Sequence, residues 1–363
     1  MGPIEIETLA EFDDRVAAGA SRMDGWQLQD LDLTGREDVL ARLDPRGALF
    51  LGCRMSRVAE DRLRAGGALL FPTVPDVPFD PWRARLYTAE ELYTGLDGSY
   101  EVTLDARVYA WSRSRGPRTS LHDMLAQAVH DNSVDDALHE YVRGRRIVGV
   151  MGGHELPRDD PAYLDTARLG RALGRAGFTV ATGGGPGAME AANLGAMMAR
   201  ETDGRLETVV GRAARVPSYR PSVSAWANAA FDAVRDVPRS GLSLGIPTWF
   251  YGHEPPNPFC AAIAKYFRNA IREDVLLHLS RGGIVFLPGA AGTVQEIFQA
   301  ACENYYADPG QVAPMVLVGK DYWSTRLPAW ELLDVLGAGR PLGAQLHLVD
   351  DTEDVLPALL QEG

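Results

Sequence analysis

An α/β fold with a doubly wound parallel sheet, preceded by a smaller N-terminal α/β domain, is what the sequence predicts, and three stretches predict it. They are Arg145-Arg-Ile-Val-Gly-Val-Met-Gly-Gly153, Phe178-Thr-Val-Ala-Thr182 with the glycines behind it, and Ile284-Val-Phe-Leu-Pro-Gly-Ala-Ala-Gly-Thr293. In each, a short apolar run of the kind that suits a fully buried strand breaks into a glycine turn, and a helical pattern follows. Repeated strand, turn and helix imply parallel strands joined by right-handed crossovers.

At 363 residues the chain exceeds one ordinary domain, and two are expected, residues 1–140 and 141–363. A hydrophobic content of 46% is enough for a sizeable core. The net charge of -13 and pI of about 5.0 argue against a nucleic-acid partner, but not against a small anion in a local pocket. Met1 to Asp14 is acidic and lacks the apolar centre of a signal peptide, and no apolar run is long enough to span a bilayer. A cytoplasmic protein without membrane association is therefore expected. Cys53, Cys260 and Cys302 are far apart and odd in number, so buried free thiols are expected rather than disulfides or a zinc site. Only Lys265 and Lys320 could form a Schiff base, and neither sits in a recognisable cofactor setting.

Taken in order, Gly47 to Cys53 and Ala68 to Phe71 read as two short buried strands around a helical segment, Ser56 to Arg64. The Pro-rich run Phe71 to Pro78 cannot hold ladder hydrogen bonds. Leu86 to Leu96 and Thr119 to Val142 read as helices, and nothing in this part carries chemistry. After the strand at 145, Pro161 to Ala176 is a helix with Leu164, Ala167, Leu169 and Leu173 on its buried face. Gly183-Gly-Gly-Pro-Gly-Ala-Met189 then leads from the second strand into the helix Glu190 to Arg200, with Pro186 suited to its first turn. A helix over Ser222 to Val234 and a strand over Leu242 to Pro247 follow. The loop Trp249 to Asn257 offers Trp249 and Tyr251 as stacking faces for a planar base, or simply packs on its own domain.

A long helix is expected from Phe259 to Ser280, placing Lys265, Arg268 and Arg272 on one face as a cationic stripe. Beyond the Ile284 strand, Pro314 to Gly319 and Leu346 to Val349 add strands covered by helices at Asp321 to Leu336 and Asp354 to Leu360. The second domain thus has about six parallel strands.

The turn after Ile284 is where chemistry concentrates. Pro288 closes the strand, Gly289 and Gly292 permit a tight turn, and Thr293 stands at an expected helix N-cap, with Glu296 three residues on. Unpaired amides and the positive end of a helix dipole make such a turn an anion site. On spacing alone, Thr293 and Glu296 equally form a capping box, so Glu296 has a structural reading beside a catalytic one. His154-Glu155 and His253-Glu254 are bare pairs without a metal-binding repeat.

Pro288-Gly-Ala-Ala-Gly-Thr-Val-Gln-Glu296 resembles the P-G-G-x-G-T-x-x-E signature of the LOG family, Rossmann-like nucleotide 5′-monophosphate phosphoribohydrolases often labelled lysine decarboxylases. Gly183 to Met189 is similar to the family's first glycine loop, and the resemblance spans about residues 145 to 360. One departure is Ala290 in place of the second glycine, which carries a steric cost if that position needs a positive φ. The resemblance implies hydrolysis of the N-glycosidic bond of a nucleoside 5′-monophosphate, with a purine expected as the base. It implies Glu296 as the catalytic carboxylate that stabilises the developing positive charge and orients or deprotonates water, Arg272 or Arg268 as catalytic arginine, and no cofactor or metal. Gly289, Ala290, Ala291, Gly292 and Thr293 would hold the phosphate, with Gly183, Gly184, Gly185, Gly187 and Met189 on the opposite wall. It also implies a homo-oligomer. Two rivals stay open: a nucleotide-binding sensor that cleaves nothing, and a dinucleotide site for hydride transfer, which lacks the G-x-G-x-x-G spacing.

Overall fold

A computed structural model describes residues 4–114, 120–250 and 254–361. The chain forms two compact units, Met1–Leu86 with Ala110–Glu140 and Tyr87–Tyr109 with Tyr141–Gly363. The second unit therefore takes up Tyr87–Tyr109, which a single cut at residue 140 leaves with the first.

The first unit is built on four parallel strands in chain order, β1 (Ile4–Ile6), β2 (Trp26–Gln29), β3 (Leu49–Leu51) and β4 (Leu69–Phe71). Helices α1 (Leu9–Ala17), α2 (Glu37–Leu40) and α3 (Arg57–Ala65) stand between successive strands. Thr8 and Glu11 form a reciprocal capping box at α1, and Ser56 caps α3. Ile6, Phe12, Trp26, Leu28, Phe50 and Leu63 meet in its core. Two more strands are present here than the sequence suggests. Ile4-Glu5-Ile6 and Trp26-Gln27-Leu28-Gln29 alternate apolar with polar because one face alone is buried, so neither shows a continuous apolar run.

Helices α4 (Ala89–Leu92), α5 (Leu104–Ser114) and α6 (Leu121–Val142) follow. The expected helix Leu86 to Leu96 is only the single turn of α4, and Thr119 lies outside the described residues. Tyr93, Leu96, Tyr100 and Ala106 pack with Tyr219, Trp226 and Ala227 inside the second unit.

That unit is a seven-stranded, all-parallel sheet. Its strands are β5 (Arg146–Met151), β6 (Phe178–Thr182), β7 (Ser243–Gly245), β8 (Ala262–Ile263), β9 (Ile284–Phe286), β10 (Met315–Val318) and β11 (Leu346–Val349). They lie in the order β11-β10-β9-β5-β6-β7-β8, so the direction of strand addition reverses between β5 and β9. Its helices are α7 (Pro161–Arg175), α8 (Ala188–Met197), α9 (Asp203–Ala213), α10 (Val223–Ala233), α11 (Asn269–Leu279), α12 (Ala291–Tyr306), α13 (Trp330–Gly337), α14 (Pro341–Ala344) and α15 (Val355–Leu359).

Alternation along β5 separates the two faces. Val148 and Val150 join Leu169, Leu173, Ala192 and Leu359 from α7, α8 and α15 in one core, while Gly149 faces Ser280 at the end of α11. The sheet is doubly wound, as the sequence predicts. Asp160 caps α7, with Pro161 at its first position.

Four local expectations fail. The stretch from Phe259 to Ser280 is not one helix: its Ala-rich start forms β8 against β7, and α11 begins only at Asn269. Pairing at the sheet edge overrides helix propensity there, and it supplies the seventh strand. Lys265 consequently lies off any helix, buried at 2.6 Å from Asp105, so the cationic stripe does not exist. Asp321 to Leu336 divides into a π-turn at Tyr322–Arg326 and α13, and Cys302 is exposed whereas Cys53 and Cys260 are buried. Among the described residues no helix is long and apolar enough to cross a membrane.

Candidate functional site

The reversal between β5 and β9 is where an open parallel sheet leaves a crevice at the carboxyl ends of its strands. Three turns border it, after β5, β6 and β9. Gly153 N–H donates to Pro288 O at 3.1 Å, tying the first turn to the third, and Ala188 N–H donates to Gly153 O at 3.1 Å, tying the second to the first.

The turn after β9 differs from the expected one by three residues. Helix α12 starts at Ala291 with Ala290 at its N-cap, so Thr293 lies inside the first turn and no side chain caps the helix. The proposed capping box is therefore absent, and Glu296 is free of that duty. Ala290 has φ -107°, ordinary backbone for an L-residue, so alanine in the glycine's place carries no strain. Thr293 is buried against Gly289, whereas Ala290, Ala291 and Gly292 are exposed. The first-turn amides of α12 thus open to solvent without an internal carboxylate to satisfy them.

The turn after β6 is different in kind. Gly183 to Gly187 is buried, with Gly184 at φ 68° and Gly187 at φ 75°, conformations that glycine adopts without the penalty of a Cβ. Pro186 precedes the Gly187 N-cap rather than entering the first helical turn. The amide of Gly187 faces the carboxylate of Glu190, so the α8 N-terminus is occupied from within. Glu190 is in turn held by Arg158, whose Nε donates to it at 2.9 Å and whose guanidinium lies over the Trp226 ring. Burial raises the Glu190 pKa and the Arg158 charge opposes the rise.

Arg272 and Glu296 meet in the crevice at 3.4 Å, with side chains 12% and 15% exposed. Arg272 comes from the first turn of α11 and Glu296 from the second turn of α12. A methyl group placed on Gly183 would stand 3.7 Å from the guanidinium and 2.9 Å from the Met189 sulfur, so the first glycine loop, Met189 and Arg272 are in one cluster. Arg272 Nε is buried without a hydrogen-bond partner among the described residues, which is uncommon for a buried donor. Arg268 is instead an exposed N-cap of α11, one helical turn away.

Burial pushes the Glu296 carboxyl up to about 7; Arg272 pulls it down, while Glu273 and Glu254 push it further up. Glu273 is itself held by Gln295 Nε2 at 2.7 Å. Glu254 is a site residue that sequence reasoning passed over as half of a bare His-Glu pair. A methyl on Gly185 would lie 3.3 Å from its carboxylate, and His154 Nδ1 is 3.6 Å from it. The two prolines that follow it, in Glu254-Pro255-Pro256-Asn257, are a sequence signal of a fixed loop. Trp249 offers no stacking face: it is 2% exposed, packs on Phe267 and Tyr87, and donates Nε1–H to Asp105 at 2.8 Å. Tyr251 and His253 lie outside the described residues. Among the described residues no three His, Cys, Asp or Glu side chains gather as metal ligands would.

Comparison with known proteins gives a family match over part of the chain. Residues 145–211, from β5 through most of α9, match the SLOG cluster4 family. Similar solved structures include a molybdenum cofactor binding protein from Rippkaea orientalis, 19% identical over 59% of this chain and 94% of that one, at a TM-score of 0.36. The molybdenum cofactor carrier protein of Chlamydomonas reinhardtii is 18% identical over 59% of this chain and 96% of that one, at a TM-score of 0.37. No curated protein matches the sequence.

Proposed function

We propose that this protein hydrolyses the N-glycosidic bond of a nucleoside 5′-monophosphate, with a purine as the base, releasing free base and ribose 5-phosphate. The observation that carries the reading is the pairing of Arg272 with Glu296, the latter one turn along a helix whose N-terminus has no side-chain cap, with the first glycine loop beside the guanidinium. The SLOG cluster4 match at residues 145–211 supports a nucleotide-related or cofactor-related ligand for the same crevice.

Each part has a chemical task. The open amides at Ala291 to Thr293 suit the 5′-phosphate, since backbone donors and the helix dipole both favour an anion there. As the C1′–N bond breaks, its electron pair leaves with the base and positive charge builds on the sugar. A carboxylate at Glu296 stabilises that charge and takes a proton from the water that attacks C1′. The proton that Glu296 takes from water is passed to the departing base nitrogen, which restores the carboxylate, and the base is met by the guanidinium of Arg272, whose fixed donors suit a planar heterocycle. Burial of Glu296 is what makes it basic enough to accept a proton near neutral pH. A homo-oligomer in the cytoplasm belongs with this reading.

Chromatography of AMP, GMP, CMP and UMP incubated with the protein tests it. Release of adenine or guanine with ribose 5-phosphate is expected, and Glu296→Gln should lower turnover by at least 10²-fold while binding changes little. Nucleotide binding without base release would make the protein a sensor, and full activity in Glu296→Gln would remove the proposed role of that carboxylate.

A further inference from the structure

The first glycine loop is gripped from behind by a buried polar network that no reading of the site has used. Asn257, completely buried, donates its backbone N–H to Gly184 O at 2.8 Å and its side-chain Nδ2 to Gly185 O at 3.2 Å. The same Nδ2 reaches Asn193 Oδ1 at 3.0 Å, and Asn257 Oδ1 accepts from Phe259 N–H at 3.2 Å. Asn193, also fully buried on α8, accepts from Thr182 Oγ1 at 2.6 Å and donates to Leu244 O at 3.1 Å. Thr182 Oγ1 accepts from Gly184 N–H at 2.9 Å. Three side chains from β6, α8 and the segment after β7 thus fix the backbone of Gly184 and Gly185 on both sides.

We infer that Asn257 is a positioning residue for the crevice, and that with Thr182 and Asn193 it holds the glycine loop in its ligand-binding shape before any ligand arrives. The inference rests on the nucleotide reading above. Three features make the network more than ordinary packing. It acts on a loop with two positive-φ glycines, whose backbone has more freedom to lose than any other sequence would. The loop it fixes passes directly beside the Arg272 guanidinium at Gly183 and the Glu254 carboxylate at Gly185. Glu254 stands three residues before Asn257 on the same segment, so one anchor sets both the floor of the crevice and an acid at its edge. Because the trans peptide sets N–H opposite to C=O, drawing Gly184 O toward Asn257 turns the Gly185 N–H away from it. Ordering of the loop is then complete on folding and is not charged against ligand affinity.

The test compares wild type, Asn257→Ala, Thr182→Val and Thr182→Ser, using AMP as the probe in calorimetry and turnover. Asn257→Ala and Thr182→Val should weaken AMP binding and raise KM tenfold or more, with kcat at saturation changed less than threefold. Thr182→Ser, which keeps the hydroxyl, should restore the wild-type KM. Hydrogen exchange at the amides of Gly183 to Gly187 should quicken in the two weakened variants. An unchanged KM and affinity in folded Asn257→Ala, or in Thr182→Val should the first variant not fold, overturns the inference. So does a kcat loss equal to the KM change in both. Failure of the wild type to bind AMP counts against the nucleotide reading instead, and the clamp is then decided by exchange at the loop amides, where unchanged rates refute it.

Discussion

Glu296 holds its proton far more tightly than a free carboxylic acid because its burial penalises the charge, and the carboxylates of Glu273 and Glu254 add to that while Arg272 opposes it. If the ionised form is the working base, kcat/KM should rise with pH through a midpoint near the group's pKa of about 7. Replacing Glu254 by Gln removes a like charge and should move that midpoint to lower pH; a midpoint that stays put or moves up contradicts the assignment. Linkage gives an independent check. The folded carboxyl at about 7 exceeds the ordinary 4.5, so between those values the folded chain binds more protons than the unfolded one. The stabilisation this group contributes is therefore full below about 4.5 and is lost as pH rises through about 7. Glu296→Gln should gain stability relative to wild type in urea at pH 8 and show no such gain at pH 4. At this scale the sequence named Glu296 and left Arg268 and Arg272 open. The start of α11, which depends on where β8 ends, sets Arg272 beside Glu296 and Arg268 one turn away at the N-cap.

Helices α7 and α8, the second of which follows directly on the first glycine loop, lie so close that two glycines are required where they cross. A methyl on Gly195 would stand 1.9 Å from the carbonyl oxygen of Ala167, and one on Gly170 would stand 2.1 Å from that of Ala192. Both contacts are with backbone, which cannot rotate aside. Gly195→Ala should therefore cost on the order of 1–3 kcal/mol through overpacking, in spite of alanine's better helix propensity. Thermal unfolding decides it, and a variant as stable as wild type means that the helices can part freely. The pattern of α7 was plain in the sequence because its buried face recurs at helical spacing. Helix α12 was plain in kind but misplaced at its start, since Thr293 has the chemistry of a cap and is used instead for packing on Gly289.

For the second unit as a whole, Tyr87–Tyr109 is joined to the sheet by a buried ion pair. Lys265 Nζ is 2.6 Å from Asp105 Oδ1, which also accepts from Trp249 Nε1, and Tyr100 donates to Asp105 Oδ2 at 2.6 Å. Tyr87 pairs with Ile263 of β8, and Tyr93 donates to Pro256 O at 2.6 Å. Burial pushes the Lys265 pKa down, and Asp105 is the charge that opposes it. Asp105→Asn should cost about 3–5 kcal/mol because it leaves an uncompensated buried cation. An apolar double replacement, Asp105→Leu with Lys265→Met, should be closer to wild type. Equal urea midpoints for Asp105→Asn and wild type would show that the pair does not hold the segment. Nothing local marks Asp105 as a partner of Lys265, 160 positions away.

What the sequence determined by itself is what depends on near neighbours. Apolar runs ending in glycine gave the strands β5, β6 and β9, their turns and the doubly wound class, because burial on both faces and a tight turn each leave a contiguous trace. Tertiary structure alone decided the strand order, the two-residue β8, the burial of Lys265 and the gathering of Arg272, Glu296, Glu254 and Asn257 around one crevice. Those outcomes rest on contacts between distant segments, where pairing and desolvation outweigh the small local preferences that a sequence displays.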